Sequence, residues 1–309
     1  MTRLGVYLFT SSTMDGYHIL DKREADNLYT NYKSKFIQIR DHRIHYRDEG
    51  EGIPIILLHG FSASLHVWED WVEALSGNYR LIRLDLPGFG LSDMPPKSQL
   101  SVEPYTQFIL ELLDKLAIKS CFIAGNSFGG WLSWELAARH PELFKGLILL
   151  SPAGYFTKET RPKTVELAKD PAFKQLLKTG IPRFVVKKLL ANAYGDKKKM
   201  TEYDINRYYG LINREGNLLS MVRFATQGIN ASTKLIKQIR QPTLIMWGTM
   251  DRIIPITDAY KFNKEIGNSK LMIYKQIGHM PQSEAPERTL KDLRPFLTRH
   301  RELLDFNQA

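Results

Sequence analysis

Residues 121–139 read CFIAGNSFGGWLSWELAAR, and this segment is the strongest indication of the fold class. Its first four residues are apolar and have the length of a buried strand, while Trp131–Arg139 has the composition of a helix. The residues between them, Gly125–Gly130, therefore predict a sharp strand-to-helix turn with Ser127 at its apex. Such a turn requires glycine two residues before and after the serine, because strand and helix approach there without room for a Cβ.

The same alternation of strand and helix recurs along the chain. Short apolar runs of strand length, usually followed by turn residues, are separated by helix-like stretches, which predicts a parallel sheet covered on both faces. Residues 36–48 instead alternate with a period near two and predict an antiparallel hairpin at the sheet's edge. The predicted parallel strands are 53–58, 81–84, 121–124, 147–150, 243–247 and 271–277, and the predicted helices are 67–75, 106–116, 131–139, 256–264 and 285–298.

The domain organisation follows from where this alternation stops. It ends after Leu150 and resumes at Thr243, and the residues between are Lys-rich and mostly helical in period. An insertion of this size between two strands of one sheet predicts a helical cap. We therefore expect an N-terminal arm over residues 1–35, an α/β core over 36–152 and 241–309, and a cap over 153–240.

Length and composition set the class of protein. The chain has 309 residues, of which 43% are hydrophobic and 25% charged, so disordered and fibrous proteins are excluded. One cysteine cannot form an internal disulfide or a cysteine-based zinc site. Because Cys121 lies within an apolar run, we expect a buried and inert thiol.

The formal net charge of +10 is unevenly distributed. Between Lys158 and Lys199 there are twelve Lys/Arg and four Asp/Glu, but no recognised nucleic-acid module accompanies them, so a solvated cap surface is favoured over a nucleic-acid partner. The longest N-terminal apolar run has six residues, against about 20 for a spanning helix. We expect a cytoplasmic protein without a membrane span, and peripheral attachment to a membrane through the basic surface stays open.

A nucleophilic serine needs a base, and the base needs an orienting carboxylate. His279 follows the last predicted strand, and Asp251 follows the strand 243–247. The carboxyl ends of parallel strands lie at one edge of a sheet, so these loops should meet Ser127 there. We predict Ser127 as the nucleophile, His279 as the base and Asp251 as the orienting acid.

Acyl transfer also needs two hydrogen-bond donors for the oxyanion. The backbone N–H of Phe128, directly after the serine and at a helix N-terminus, is one candidate. The turn His59-Gly60-Phe61-Ser62 follows strand 53–58, and the Phe61 N–H is the second candidate. We interpret His59 as a structural residue that shapes this turn.

Five motifs together resemble the α/β-hydrolase superfamily over roughly residues 36–300. The resemblance implies that Asp85 organises a loop rather than serving as the triad acid. It also implies catalysis without a metal or cofactor, and the serine at the turn separates the chain from the haloalkane dehalogenases and epoxide hydrolases, which carry aspartate there. The motifs are HGFSAS (59–64), DLPGFGLSD (85–93), GNSFGG (125–130), WGTMD (247–251) and GHMP (278–281).

Within the superfamily the chain looks like the capped serine esterases that neighbour the meta-cleavage-product hydrolases. Those carbon–carbon bond hydrolases typically carry Trp after the triad histidine, whereas Met280 follows His279 here. Arg207 is either a stand-in for the arginine that they use on the dienone carboxylate or a surface arginine on a helix, and we favour the second interpretation. These departures favour esters as substrates.

The expected activity is hydrolysis of a small carboxylic ester with a short to medium acyl chain, by a monomer or homodimer. A carbon–carbon bond hydrolase and an acyltransferase or perhydrolase would use the same triad, and both stay open. A non-catalytic ligand-binding protein is the remaining alternative, although all three triad members are present. Besides Phe61 and Phe128, residues beside the motifs are expected to contact substrate: Ser62, Trp131, Tyr155, Arg207, Ile254 and Met280.

Overall fold

The computed structural model describes residues 18–93, 102–155, 179–227 and 232–304, with side chains described to residue 224 in the third range. Residues 1–17 of the expected arm and 156–178 and 228–231 of the expected cap lie outside these ranges, as does part of the basic segment from Lys158. Within the described ranges eight strands form one sheet: β1 (Lys35–Ile39), β2 (His42–Glu49), β3 (Ile53–Leu58), β4 (Tyr79–Leu84), β5 (Cys121–Asn126), β6 (Phe144–Leu150), β7 (Thr243–Gly248) and β8 (Ser269–Tyr274).

The sheet has the order β1-β2-β4-β3-β5-β6-β7-β8. β1 and β2 pair antiparallel, as do β2 and β4, while β3, β4, β5, β6, β7 and β8 run parallel to one another. The predicted edge hairpin and the predicted parallel strands are therefore confirmed, and the fold is α/β. Every residue of β5 and β7 is buried, which explains why these strands read as continuous apolar runs.

Ten α-helices lie within the described ranges, and helices cover both faces of the sheet. On one face α3, α4 and α8 contribute to a hydrophobic cluster, and on the other α2 and α10 contribute to a second one. The helices are α1 (Lys22–Tyr29), α2 (Glu69–Leu75), α3 (Val102–Lys115), α4 (Phe128–Arg139), α5 (Arg183–Ala193), α6 (Glu202–Ile212), α7 (Asn217–Gln227), α8 (Ile256–Glu265), α9 (Pro281–Glu284) and α10 (Pro286–His300).

The three helices between β6 and β7, α5 to α7, are called the inserted helices below. They are tied to the loop after β4 by buried side chains. Arg214 donates from Nη2 to the carbonyl oxygen of Leu91 at 3.1 Å, and Asn217 donates from Nδ2 to that of Gly90 at 2.8 Å. These bonds hold α7 against the core on the side where Phe61 and Phe128 lie.

The described part of the arm joins the inserted helices to the edge hairpin. Leu20 donates its backbone N–H to the carbonyl of Asn213 at 3.1 Å, next to the end of α6. Asp26 on α1 accepts from Arg43 on β2 at 2.8 Å. The sequence offered no basis for predicting this packing, because it depends on pairs separated by 17 and about 190 residues.

No helix among the described residues is both long and apolar enough to cross a bilayer. Across the same part of the chain, His, Cys, Asp and Glu do not form a group of three that could bind a metal ion.

Candidate active site

Ser127 lies at the predicted turn between β5 and α4. Its backbone has φ 55° and ψ −114°, a left-handed conformation that a residue with a Cβ rarely adopts. A Cβ on Gly125 would overlap the carbonyl oxygen of Gly129, and one on Gly129 would overlap the carbonyl oxygen of Leu58. The two glycines are therefore steric requirements of the turn, as the sequence predicted.

Hydrogen bonds to neighbouring elements hold the strained turn in place. The Ser127 N–H donates to Leu150 at the end of β6 at 3.0 Å, and the Ser127 carbonyl accepts from Trp131 and Ala153, also at 3.0 Å. Strain at a functional residue persists only when its surroundings over-determine it, and these three bonds do so.

Asp251 and His279 form a pair at the same edge of the sheet. Asp251 Oδ2 accepts a hydrogen bond from His279 Nδ1 at 2.8 Å, while its other oxygen accepts from the backbone N–H groups of Ile253 and Ile254. Burial alone would raise the pKa of Asp251, but the charge of His279, its hydrogen bond and the two backbone donors outweigh burial and lower that pKa. Asp251 is thus held as a carboxylate, and its hydrogen bond orients the His279 ring.

The loop that carries His279 is fixed to the serine turn through the backbone. Asn126, the residue before Ser127, donates from Nδ2 to the carbonyl of His279 at 2.9 Å and to that of Leu150 at 3.0 Å. The His279 N–H donates to Ala193 at the end of α5 at 2.7 Å. Among the described residues the Ser127 hydroxyl makes no hydrogen bond to the His279 ring, so their pairing stays a prediction.

The turn after β3 approaches Ser127 from the other side. A Cβ on Gly60 would lie 3.1 Å from the Cβ of Ser127, and Ser62 in the same turn has a left-handed φ of 59°. In the described ranges the backbone N–H groups of Phe61 and Phe128 donate to no other residue. Their role as donors to an oxyanion at Ser127 stays a prediction.

His59 shapes this turn, as its sequence context predicts. Its Nδ1–H donates to the carbonyl of Gly60 at 2.7 Å, and its Nε2 accepts from the N–H of Leu86 at 2.9 Å. Acceptance at Nε2 requires the neutral ring, and burial lowers the pKa of His59 accordingly.

Asp85 is a loop-organising residue in the structure, as the resemblance implied. Its carboxylate accepts from the backbone of Leu65 at 2.7 Å and of Leu91 at 2.8 Å, and from His45 Nδ1 at 2.7 Å. Burial opposes the charge, but the nearby imidazoles and hydrogen bonds lower the pKa of Asp85 well below its usual range. The carboxylate thus connects the segment just after the β3 turn, at Leu65, to the loop after β4, which also bonds to α7.

An aromatic cluster packs around Phe61 and Phe128. Phe224 on α7 lies between them, with ring centroids 5.6 Å from Phe61 and 4.7 Å from Phe128. Tyr105 and Phe89 complete the cluster. Phe224 was not predicted from the sequence, since nothing in a helical period identifies which side of an inserted helix contacts the core.

Three of the residues expected to contact substrate have packing or hydrogen-bond partners within the protein, and their contact with substrate stays a prediction. The Trp131 indole donates to Glu135 at 3.0 Å and stacks on Trp134, so it belongs to the core. The Tyr155 hydroxyl donates to Glu265 on α8 at 3.1 Å. The side chain of Ile254 is likewise part of the hydrophobic cluster on this face.

Met280 packs in the hydrophobic cluster that includes side chains of α6, the helix that carries Arg207. The Met280 sulfur accepts from the hydroxyl of Tyr208 on α6 at 3.3 Å. Arg207 is only 7% exposed, so the favoured interpretation of a surface arginine is wrong. Its Nη2 donates to Asp204 at 3.0 Å, and its buried Nε has no hydrogen-bond partner among the described residues. Helical period alone could not reveal this burial, because α6 packs on two sides.

The structure therefore unites a serine turn, a carboxylate–imidazole pair and two free backbone donors at one sheet edge. A family model described as the alpha/beta hydrolase fold matches residues 53–286. The chain belongs to this family. Membership confirms the resemblance, and the chain is an α/β-hydrolase.

Individual α/β-hydrolases that resemble the chain differ in their named substrates. The chain is 28% identical over 255 residues to an uncharacterized hydrolase, YugF, of Bacillus subtilis (strain 168), covering 82% of this chain and 92% of that protein. It is 26% identical over 259 residues to a 2-hydroxymuconate semialdehyde hydrolase of Pseudomonas sp. (strain CF600), covering 82% and 90%. A solved structure of a bacterial membrane phospholipase A matches with a TM-score of 0.75 at 25% identity, covering 87% and 86%.

Proposed function

We propose that this α/β-hydrolase is a serine esterase that cleaves carboxylic esters through an acyl-enzyme. The observation that carries the proposal is the strained Ser127 turn at the same sheet edge as the Asp251–His279 pair. In this arrangement Asp251 holds Nδ1 of the ring protonated, which leaves Nε2 as the base. The same constellation supports acyl transfer on several unrelated folds.

The reaction has two steps, acylation of Ser127 and hydrolysis of the acyl-enzyme. Ser127 Oγ attacks the acyl carbon while its proton passes to His279 Nε2, and the Phe61 and Phe128 N–H groups bind the oxyanion. The carbon–oxygen bond to the alcohol breaks as His279 returns that proton to the leaving alkoxide. Water then attacks the acyl-enzyme, gives a proton to His279, and releases the acid while Ser127 recovers its hydrogen.

The aromatic cluster supports an apolar acyl group. The proposed oxyanion donors belong to Phe61 and Phe128, whose rings pack with that of Phe224. We expect these apolar rings to bind the acyl chain by dispersion and burial. We propose short to medium acyl chains, because the Phe224 ring packs on both Phe61 and Phe128 and occupies space beside them. We also propose that Ser62, in the same turn as Phe61, contacts the substrate.

Hydrolysis of a p-nitrophenyl ester series from C2 to C16 tests this function. Wild type should turn over the shorter members, and Ser127→Ala should lower kcat/KM at least about a thousandfold. Activity that survives Ser127→Ala unchanged would contradict the proposed mechanism. Equal thermal unfolding of the two proteins controls for misfolding.

Carbon–carbon bond hydrolysis is the second candidate, and the burial of Arg207 favours it. The guanidinium carbon of Arg207 lies 5.9 Å from the ring centroid of Tyr208, whose hydroxyl donates to Met280 beside His279. Arg207 Nε has no hydrogen-bond partner among the described residues. A guanidinium there could bind a substrate carboxylate. A coloured 2-hydroxy-6-oxodienoate is the discriminating substrate. If the second candidate is right, bleaching should exceed ester turnover in kcat/KM, and Arg207→Gln should raise the KM for the dienoate but not for a neutral ester.

A further inference from the structure

Helix α5 has one face buried against the molecule and one face in water. Val186, Leu190 and Ala193 point inward at helical spacing and are buried. On the outer face Phe184 is 72% exposed, and Lys187 and Lys188 beside it are also exposed. An aromatic side chain of this size gains nothing from such exposure, since burial of a phenyl group is favourable.

Further exposed apolar and basic side chains follow along the chain. Leu189 and Tyr203 are large apolar side chains that are roughly half exposed, and Lys197 and Lys198 lie exposed in the turn after α5. Residues 183–204 contain six Lys/Arg and three Asp/Glu. We call Phe184, Lys187, Lys188, Leu189, Lys197 and Lys198 the basic–aromatic face.

Acidic groups on this surface neutralise only part of the charge. Glu202 pairs with Arg183 and lies 3.5 Å from Lys187. Asp196 accepts from the backbone of Lys198. Lys188 forms no ion pair with any described residue, and its charge is available to a partner.

The combination of lysines with projecting apolar side chains selects the chemistry of the partner. A membrane surface that contains anionic lipids attracts lysines electrostatically and accepts phenyl and leucyl groups at the headgroup boundary. A nucleic acid would use the lysines but would bury Phe184 only by base stacking, for which one exposed phenyl ring is a poor platform. The apolar members therefore favour lipid.

We propose that the basic–aromatic face binds peripherally to anionic lipid surfaces. Ala193, at the end of α5, accepts a hydrogen bond from the backbone N–H of His279 at 2.7 Å. Helix α5 would therefore connect the lipid-bound surface to the proposed base, His279. A lipid surface would then present amphiphilic esters to the site. This link to substrate rests on the proposed esterase function, whereas lipid binding itself does not.

Vesicle flotation of the full chain tests the proposal. The probes are phosphatidylcholine vesicles with and without 30% phosphatidylserine, at low salt and at 0.5 M NaCl. We expect at least tenfold tighter binding to the anionic vesicles, with most of it lost at high salt, because the Debye length then falls to about 4 Å. The double variant Lys187→Gln/Lys188→Gln should bind about 25-fold more weakly, at roughly fivefold for each lysine.

Matched variants on another surface serve as controls. Lys264→Gln/Lys270→Gln removes the same charge from exposed positions on α8 and β8, and Tyr260→Ala removes an exposed aromatic side chain from α8. These variants should bind vesicles like wild type, whereas Phe184→Ala should bind at least about fivefold more weakly. Hydrolysis of p-nitrophenyl acetate, a monomeric substrate, should be the same in all of them.

Three results would overturn the proposal. The first is equal binding of wild type to neutral and anionic vesicles, and the second is equal weakening by the α5 pair and its charge-matched control. The third is tight binding to a 30-base-pair DNA without binding to vesicles, which would assign the face to nucleic acid. If vesicles bind but no ester is hydrolysed, lipid docking stands and the proposed esterase function fails.

Discussion

Ser127 and two glycines form a unit in which each residue constrains the others. The left-handed backbone of Ser127 costs of order 1–3 kcal/mol, which the surrounding hydrogen bonds offset. Gly125 and Gly129 have no room for a Cβ because carbonyl oxygens occupy that space. The position of the serine at the sheet edge therefore depends on the absence of a Cβ at both glycines.

Replacement of Gly129 by alanine tests this steric requirement. Gly129→Ala should lower kcat/KM for p-nitrophenyl butyrate at least about a hundredfold and lower the melting temperature, since its Cβ would displace the backbone at Leu58. Gly267→Ala is the matched control, because no atom lies within 4 Å of its added Cβ. Equal activity and stability of the two variants would show that the close approach is unimportant.

Asp251 and Asp85 are both buried aspartates beside imidazoles, but their surroundings differ. Asp251→Asn should lower kcat about 10⁴-fold by stabilising the wrong tautomer of His279, with little change in stability. Asp85→Asn should cost about 3 kcal/mol in the free energy of unfolding, because it weakens three hydrogen bonds in a buried site. Urea unfolding and steady-state kinetics on both variants separate these effects. The opposite pattern would make Asp85 the triad acid.

At this scale the sequence predicted the positions of Ser127, Asp251 and His279 better than the directions of other side chains. All three of these residues follow strands. The carboxyl ends of parallel strands lie at the same edge of a sheet, independently of how individual side chains pack. The orientations of Tyr155 and Trp131 depend instead on partners such as Glu265 and Glu135, which sequence proximity to a motif does not reveal.

At the scale of elements, the inserted helix α7 brings a single ring into contact with both predicted oxyanion residues. Phe224 packs on Phe128 and Phe61, and Arg214 with Asn217 holds the start of α7 against the loop after β4. The proposed acyl site would thus be built jointly by the core and an insertion. Substrate range should respond to the insertion while the chemistry stays with the core.

Truncation of Phe224 tests which element sets chain length. Phe224→Ala should raise the ratio of kcat/KM for the C8 ester to that for the C4 ester by about tenfold, because removal of the ring extends the apolar pocket. Leu219→Ala, an exposed position on the same helix, should leave the ratio unchanged. An unchanged ratio in Phe224→Ala would place the acyl chain elsewhere.

The strands were predictable because parallel strands buried on both faces have an unmistakable apolar run. β3 matches its predicted span, and β5, β6 and β7 differ from theirs only at the ends. The inserted helices were predictable as helices but not in their packing, since their long-range partners, such as Leu91 and Gly90, lie over 120 residues away.

At the scale of the whole molecule, buried neutral histidines link the core to pH. His66 accepts from Arg47 at 3.3 Å through Nε2 and contacts Ser64 Oγ at 3.1 Å through Nδ1, which requires an unprotonated Nε2. Burial and the neighbouring Arg47 and Arg207 charges lower the pKa of His66 well below 6.5, and burial lowers that of His59. These rings remain neutral in the folded state while the unfolded chain takes up protons.

Stability should therefore fall as the pH drops below the ordinary histidine value. Because both folded pKa values are depressed, the unfolded state binds more protons below pH 6.5, and each imidazole should cost about 1 kcal/mol of unfolding free energy by pH 5.5. His66→Gln should roughly halve the difference between pH 7.5 and pH 5.5 in urea unfolding. A pH-independent free energy over this range would contradict the neutral assignment.

The central claim is that Ser127 is the nucleophile of a hydrolase, and covalent labelling tests it most directly. The chain should be incubated with a fluorophosphonate ester, digested and analysed by peptide mass spectrometry. We predict one phosphonate adduct, on Ser127, which is absent from Ser127→Ala and strongly slowed in His279→Ala. An unlabelled Ser127 peptide, or an adduct on another serine that survives in Ser127→Ala, would contradict the claim.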